Sequence, residues 1–201
     1  MLKSKFPYRF IKLMIGLFLC GLGIAMMVKA GIGLSPWDVL AQGISRNGFL
    51  TFGQATILVS VLVLLLWIPL RVKPGLGSIL NTLLLGTYAD LVMPFIPHFE
   101  NYFLNLAVFV LGMLVFSFAI GMYVSSNMGK GPRDGLNAGL ATRFRLPFWQ
   151  ARLAVELAVV LIGFLLGGQV REGTLLFAVA IGYTNQLAYR IFGLVDKSGR
   201  M

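Results

Sequence analysis

Long apolar runs separated by short polar segments dominate the chain. A membrane-spanning helix needs about 20 predominantly apolar residues. Six runs approach that length: 11–30, 52–70, 75–94, 103–124, 148–168 and 173–190. Two shorter helical patterns, 36–46 and 132–143, cover roughly half of the hydrocarbon thickness at ~1.5 Å per residue. The pattern predicts an all-α polytopic membrane protein with six transmembrane helices and two re-entrant half-helices.

The basic residues give these spans a predicted orientation. Lys and Arg accumulate in the cytoplasmic loops of membrane proteins. With the N-terminus inside, 13 basic residues fall in inner segments and three fall outside, which are Lys29, Arg46 and Arg171. The net charge of +10 therefore follows span ends rather than a basic stripe typical of nucleic-acid binding. We expect both termini to face the cytoplasm, and no nucleic-acid partner.

The two halves of the sequence repeat each other. A shift of 96 residues aligns 16–91 with 112–187 without a gap, and 21 of the 76 pairs are identical. Glycine and proline recur at constrained backbone positions, which indicates duplicated architecture. We predict one membrane domain made of two repeats, 1–97 and 98–201. Each repeat holds three spans, so the second is predicted to be inverted, as in many secondary transporters and also in channels.

A bend followed by a half-helix occurs once in each repeat, in 31–45 and 127–141. We call these segments the first and the second elbow. Gly33 and Gly129 suit the bend. Ser35 suits the N-cap of the first half-helix and Gly131 takes that place in the second. Proline then stands at the first helical position and aspartate at the third, in Pro36 and Asp38 and again in Pro132 and Asp134.

Two interpretations of the elbow carboxylates remain open. They could be structural caps that accept hydrogen bonds from free backbone N–H groups. Alternatively, the half-helix N-termini line a cavity, and Asp38 or Asp134 binds a cation or carries a proton. Lys130 and Arg133 make the second elbow more basic than the first, which is compatible with an anionic substrate.

Other polar residues within or beside the spans extend the candidate path. Arg152 and Glu156 lie four residues apart on one helix face, as an anchoring ion pair or as a proton- or ion-coupling site. Gln54 and Gln150 match between the repeats, either as caps or as path residues. The candidate substrate or ion path comprises Gly33, Pro36, Asp38, Gln54, Gly129, Lys130, Pro132, Arg133, Asp134, Gln150, Arg152 and Glu156.

Catalytic and metal chemistry find little support in the sequence. A lone Cys20 and a lone His98 cannot supply a thiolate cage or a zinc triad. No serine has a convincing base partner, so we expect no enzyme activity, metal or cofactor. Trp67, Trp149 and Tyr8 lie near predicted span ends and are predicted to anchor the helices at the lipid headgroups.

Several motifs resemble the YczE-type bacterial membrane proteins, which are related to the YyaS/YitT group. In the first half these are G-x-x-P-W-D, T-F-G-Q and G-L-G-S-I-L-N-x-L-L-x-G-x-x-x-D. In the second half they are G-K-G-P-R-D-G-L-N, R-L-A-V-E and G-F-L-L-G-G. The resemblance covers about 10–193 and implies a multi-span protein of the bacterial cytoplasmic membrane. It supplies no active-site residues to transfer.

These observations favour a small-solute transporter or channel whose path follows the interface of the two repeats. The alternative is a non-transporting membrane factor that stabilises or regulates a partner protein. The lipid bilayer and a small solute or ion are the partners we expect.

Overall fold

The computed structural model describes residues 6–194, and this part of the chain is helical with short connections. Its helices are α1 Phe6–Ala30, α2 Pro36–Asn47, α3 Phe52–Leu70, α4 Leu76–Val92, α5 Tyr102–Val124, α6 Pro132–Phe144, α7 Phe148–Leu165 and α8 Glu172–Ile191. A 3₁₀ turn, Met93–Phe95, extends α4. The predicted cytoplasmic placement of the termini concerns residues 1–5 and 195–201, which lie outside the described part.

Five of the six predicted spans are helices long and apolar enough to cross a membrane: α1, α3, α4 with its 3₁₀ turn, α5 and α7. The sixth, α8, has 20 residues but does not meet the same standard of hydropathy. Thr184, Asn185 and Gln186 lower the hydropathy of its second half. The α-helical class is confirmed, whereas the sixth crossing stays a prediction.

Helices form over both segments predicted as half-helices, and they begin at the predicted residues. The 12-residue α2 and the 13-residue α6 each begin at a proline. The bends before them use positive φ angles, 135° at Gly33 and 143° at Gly129. A side chain at either position would be strained in that conformation.

The two halves of the chain pack against each other along several helix pairs. Helix α1 lies along α5, α2 lies against α7, and α6 lies against α3. Glycines allow these close approaches: a Cβ at Gly23 would clash with the backbone of Gly112 and Phe116. The largest group of buried apolar side chains includes Ile24, Phe109 and Phe177, and its members come from α1 to α5 and from α8. Apolar side chains on the outer faces remain exposed, for example Leu165 and Val179.

Each elbow contacts the third long helix of the opposite half through the same backbone bond. The Gly173 N–H donates to the Ile32 carbonyl at 2.8 Å, and the Gly77 N–H donates to the Met128 carbonyl at 2.8 Å. The two donors, Gly77 and Gly173, are 96 residues apart in sequence, and so are the two acceptors, Ile32 and Met128. Equivalent positions therefore make equivalent contacts.

One helix pair breaks this correspondence. Helices α3 and α4 pack together where Gly53 meets Gly86, so closely that neither has room for a Cβ. Asp90 of α4 accepts a hydrogen bond from the Gly53 N–H at 2.8 Å. The matching helices α7 and α8 have no comparable packing within residues 6–194. Trp149 stands at the position of Gly53, and Gly182, at the position of Gly86, has nothing within 4 Å of the point where a Cβ would lie.

Candidate functional site

Both elbows border one cavity at the contact between the two halves of the chain. The N-terminus of α2 contributes Ser35, Pro36 and Trp37 to its wall, and the N-terminus of α6 contributes the segment 131–134 and Asn137. Helices α1, α4, α5, α7 and α8 complete the wall. Helices α7 and α8, which do not pack together within residues 6–194, both contribute to the wall next to the second elbow.

The first elbow carboxylate lies directly behind this wall. Asp38 is 1% exposed, and its Oδ2 accepts a hydrogen bond from the Ser35 hydroxyl at 2.5 Å. Ser35 is the N-cap, as predicted, and its Oγ accepts from the Asp38 N–H at 3.4 Å. The Asp38 carboxylate itself pairs with side chains rather than with free backbone N–H groups.

Arg133 connects the two elbows. Its Nη2 donates to Asp38 Oδ1 at 3.2 Å, and its guanidinium carbon lies 5.4 Å from the centroid of the Trp37 ring. The Arg133 side chain is 20% exposed, so this ion pair is shielded from most of the surrounding solvent. The Arg133 guanidinium of the second elbow is thus paired with a carboxylate of the first elbow.

The second elbow carboxylate has a different environment. Asp134 is exposed on the cavity wall and makes no ion pair within residues 6–194. The backbone that positions it is fixed by Trp67, whose indole N–H donates to the Pro132 carbonyl at 3.0 Å. The prediction that Trp67 anchors the lipid headgroups is therefore wrong: this side chain is 2% exposed and packs under α6.

Arg152 and Glu156 form the predicted ion pair. Arg152 Nε donates to Glu156 Oε1 at 2.7 Å, within one turn of α7. Both side chains line the cavity and are partly exposed to it. Their counterparts in the first half, Thr56 and Ser60, are buried and neutral.

Three buried polar atoms at the cavity have no hydrogen-bond partner in the described chain: Tyr123 Oη, Asn137 Oδ1 and Asn185 Oδ1. All three residues are absent from the predicted path. Their repeat partners, Met27, Ala41 and Ala89, are apolar. A polar residue opposite an apolar one in the repeat alignment is the signal that could have identified them.

The cavity therefore gathers only part of the predicted path. Pro36, Pro132, Arg133, Asp134, Arg152 and Glu156 line it, and Asp38 supports it from behind. Five predicted residues do not line it: Gly33, Gly129, Gln54, Lys130 and Gln150. The glycines shape the bends, and Lys130 contributes its carbonyl oxygen, which accepts from Ser78 Oγ at 2.6 Å.

The matched glutamines have separate roles. Gln54 is a cap, because its Oε1 accepts from the Thr51 N–H at 3.0 Å while Thr51 Oγ1 accepts from the Gln54 N–H. Gln150 lacks this reciprocal bond because Pro147, which has no N–H, stands where Thr51 stands in the first half.

Metal ligation requires several donor side chains at one point. Over residues 6–194 no group of three or more His, Cys, Asp or Glu side chains is placed to hold a metal ion. What the cavity does provide is paired and unpaired charge, amide oxygens and aromatic rings, the groups that bind small polar solutes.

Comparison with known proteins assigns the chain to a family. Residues 7–190 match the model described as "Family of unknown function (DUF6198)". The chain belongs to this family. It is 35% identical over 179 residues to an uncharacterized protein of Haemophilus influenzae, covering 89% of this chain and 82% of that one. No solved structure matches it.

Two relatives in Bacillus subtilis confirm the resemblance inferred from the motifs. The uncharacterized membrane protein YczE is 28% identical over 169 residues, which cover 83% of this chain and 79% of YczE. The uncharacterized protein YyaS is 26% identical over 166 residues, which cover 81% of this chain and 83% of YyaS. Together with the apolar helices, the description of YczE as a membrane protein supports the same class for this chain.

Proposed function

We propose that this family member is a small-solute transporter or channel of the bacterial cytoplasmic membrane. Its substrate path would follow the interface of two inverted repeats. One observation carries the proposal: the N-termini of α2 and α6 line the same cavity, with unpaired polar groups facing it. Short helices that begin at a central cavity are typical of transporters built from inverted repeats. The proposal assigns the chain no catalytic step.

The unequal packing of the two halves supports a transporter over a channel. In the proposed topology, α8 crosses the membrane, and the contact of Gly53 with Gly86 closes the outer side. The matching pair on the inner side, Trp149 and Gly182, is apart. A cavity closed on one side and open on the other corresponds to one state of an alternating-access cycle. We therefore propose that the described conformation is open to the cytoplasm.

Uptake into proteoliposomes tests this proposal. Purified full-length protein is reconstituted, and the flux of a panel of labelled small cations, anions and neutral solutes is measured with and without a proton or sodium gradient. Saturable uptake that responds to a gradient supports a transporter, and flux without saturation supports a channel. Absence of flux for the whole panel, together with a reproducibly co-purifying protein, would favour the partner-regulating factor instead.

A further inference from the structure

The charged groups at the cavity are unequally paired. Its wall carries two guanidinium groups and two carboxylates, while Asp38 lies behind the wall and Lys130 lies near Asp134 without lining the cavity. Each guanidinium is already in an ion pair. Arg133 pairs with Asp38 at 3.2 Å and Arg152 pairs with Glu156 at 2.7 Å. Asp134 remains on the wall without an ion-pair partner in residues 6–194. A negative charge is thus available to a bound solute.

Two of the three unpaired hydrogen-bonding groups at the cavity are amide oxygens, and the third, the Tyr123 hydroxyl, can donate or accept. Asn137 is 3% exposed, and its Oδ1 lines the cavity without a donor; Asn185 Oδ1 is buried on the facing helix without one. An amide oxygen only accepts hydrogen bonds, so a solute that satisfies it must bring N–H or O–H groups. Leaving such an atom unsatisfied is costly, so a bound donor gains affinity here.

Aromatic rings form the remainder of the wall. Phe116 and Phe177 lie with their ring centroids 6.3 Å apart, and both border the cavity with Trp37. Ring faces attract cations. The Arg133 guanidinium already lies over the Trp37 ring, so one ring of this wall is in contact with a cation.

The helix dipoles of α2 and α6 do not make the cavity favourable for an anion. The N-terminus of α2 is capped by Ser35, and Asp38 lies in its first turn. The N-terminus of α6 has Asp134 in its first turn, so a carboxylate already compensates its partial positive charge. An anion entering the cavity would meet this carboxylate and two occupied arginines.

We propose that the cavity binds a small organic cation that carries N–H groups, such as a primary ammonium or a guanidinium compound. Asp134 is its ionic partner, and the amide oxygens of Asn137 and Asn185 accept its hydrogen bonds. This inference rests on the proposed function, since it names the class of solute that would occupy the same path.

Ligand-induced stabilisation of the purified full-length protein tests the class of solute. The midpoint of thermal unfolding is measured with butylammonium, tetramethylammonium and butyrate at equal ionic strength, because a ligand that binds only the folded state raises it. We expect a saturable rise with butylammonium alone. An equal rise with tetramethylammonium, which has no N–H, would overturn the role of the amide oxygens. A rise with butyrate only, or no rise with butylammonium, would overturn the cation site.

Variants then locate the site. Asp134→Asn should weaken butylammonium binding about tenfold or more, because the negative charge that pairs with the ammonium group is removed. Asn137→Ala should weaken it less, and Glu100→Gln, at an exposed carboxylate away from the cavity, should leave it unchanged. Unchanged binding in Asp134→Asn would refute the assignment. The comparison of the three salts uses the unsubstituted protein, so it still tests the class of solute if a variant fails to fold.

Flux of the labelled probes separates this proposal from the transport proposal. Binding of butylammonium without flux would keep the cation site and count against transport. Saturable flux of butyrate but not of butylammonium would keep transport and refute the cation class.

Discussion

The guanidinium of Arg133 lies over the indole ring of Trp37, with 5.4 Å between its carbon and the ring centroid. These two residues hold the same position in the two repeats, 96 residues apart. The repeats therefore meet at their half-helices through equivalent positions that carry unlike side chains. Two arginines there would repel each other, whereas an arginine over an aromatic face is attracted to it. Divergence at this position makes the contact between the repeats favourable.

Replacement of the two elbow aspartates should separate their roles. Asp38→Asn removes the charge that pairs with Arg133 at a site 1% exposed, so we expect a loss of about 1–3 kcal/mol in stability. Asp134→Asn removes an exposed carboxylate without an ion pair in the described chain and should change stability by less than about 0.5 kcal/mol. Unfolding of both variants in the same detergent measures the difference. Equal losses would mean that both aspartates are structural caps.

A matched pair of glycines tests the unequal packing of the two halves. A Cβ at Gly86 would collide with the Gly53 carbonyl oxygen, so Gly86→Ala should destabilise the protein by about 1–3 kcal/mol. At Gly182 nothing lies within 4 Å of the added methyl group, so Gly182→Ala should leave stability unchanged or slightly higher. Thermal unfolding of both variants provides the comparison.

The same pair also tests the proposed closing of α7 on α8. If these helices approach each other during transport as α3 and α4 do in the described conformation, Gly182→Ala should slow flux while stability is retained. Full flux in the Gly182→Ala variant would argue that α7 and α8 stay apart throughout the cycle.

Much of the fold can be predicted from the sequence because membrane helices leave local signals. The predicted span 52–70 matches α3 to the residue, and both half-helices begin at the predicted prolines. The 20-residue length requirement and the cap chemistry of Pro36 and Pro132 are properties of short segments, which a single sequence displays.

The site is harder to predict because it depends on contacts between distant segments. Arg133 and Asp38 are 95 residues apart, and neither local pattern reveals that they meet. Trp67 illustrates the opposite error: its place near a span end predicts an interface anchor, but the approach of α6 buries it. Its neighbour Gly135, which leaves room for the indole ring, lies in the other repeat.

The Arg152–Glu156 pair leads to a prediction about coupling. If Glu156 carries the proton that drives transport, Glu156→Gln should abolish the response of uptake to a pH gradient while the protein stays folded. Arg152, Asp134 and Tyr189 border the same part of the cavity and remain in this variant. Uptake at several imposed pH gradients is the measurement.

A second arginine–glutamate pair serves as the control for this experiment. Arg171 and Glu172 approach to 3.7 Å on the exposed end of α8, away from the cavity. Glu172→Gln should retain the pH-gradient response. An unaltered response in the Glu156→Gln variant would leave Glu156 as a structural partner of Arg152.

The crossing of α8 is open to a direct labelling experiment. In a Cys20→Ala background, which has no other cysteine, single cysteines replace Val170 before α8 and Leu194 after it. A membrane-impermeant maleimide should label Val170→Cys in intact cells and Leu194→Cys only after permeabilisation. Lys73→Cys, in the exposed α3–α4 connection predicted to face the cytoplasm, is the matched inner control. Because an odd number of crossings must separate two sides, labelling of 170 and 194 from the same side would mean that α8 does not span the membrane. The second repeat would then hold two spans, and its inversion would be refuted.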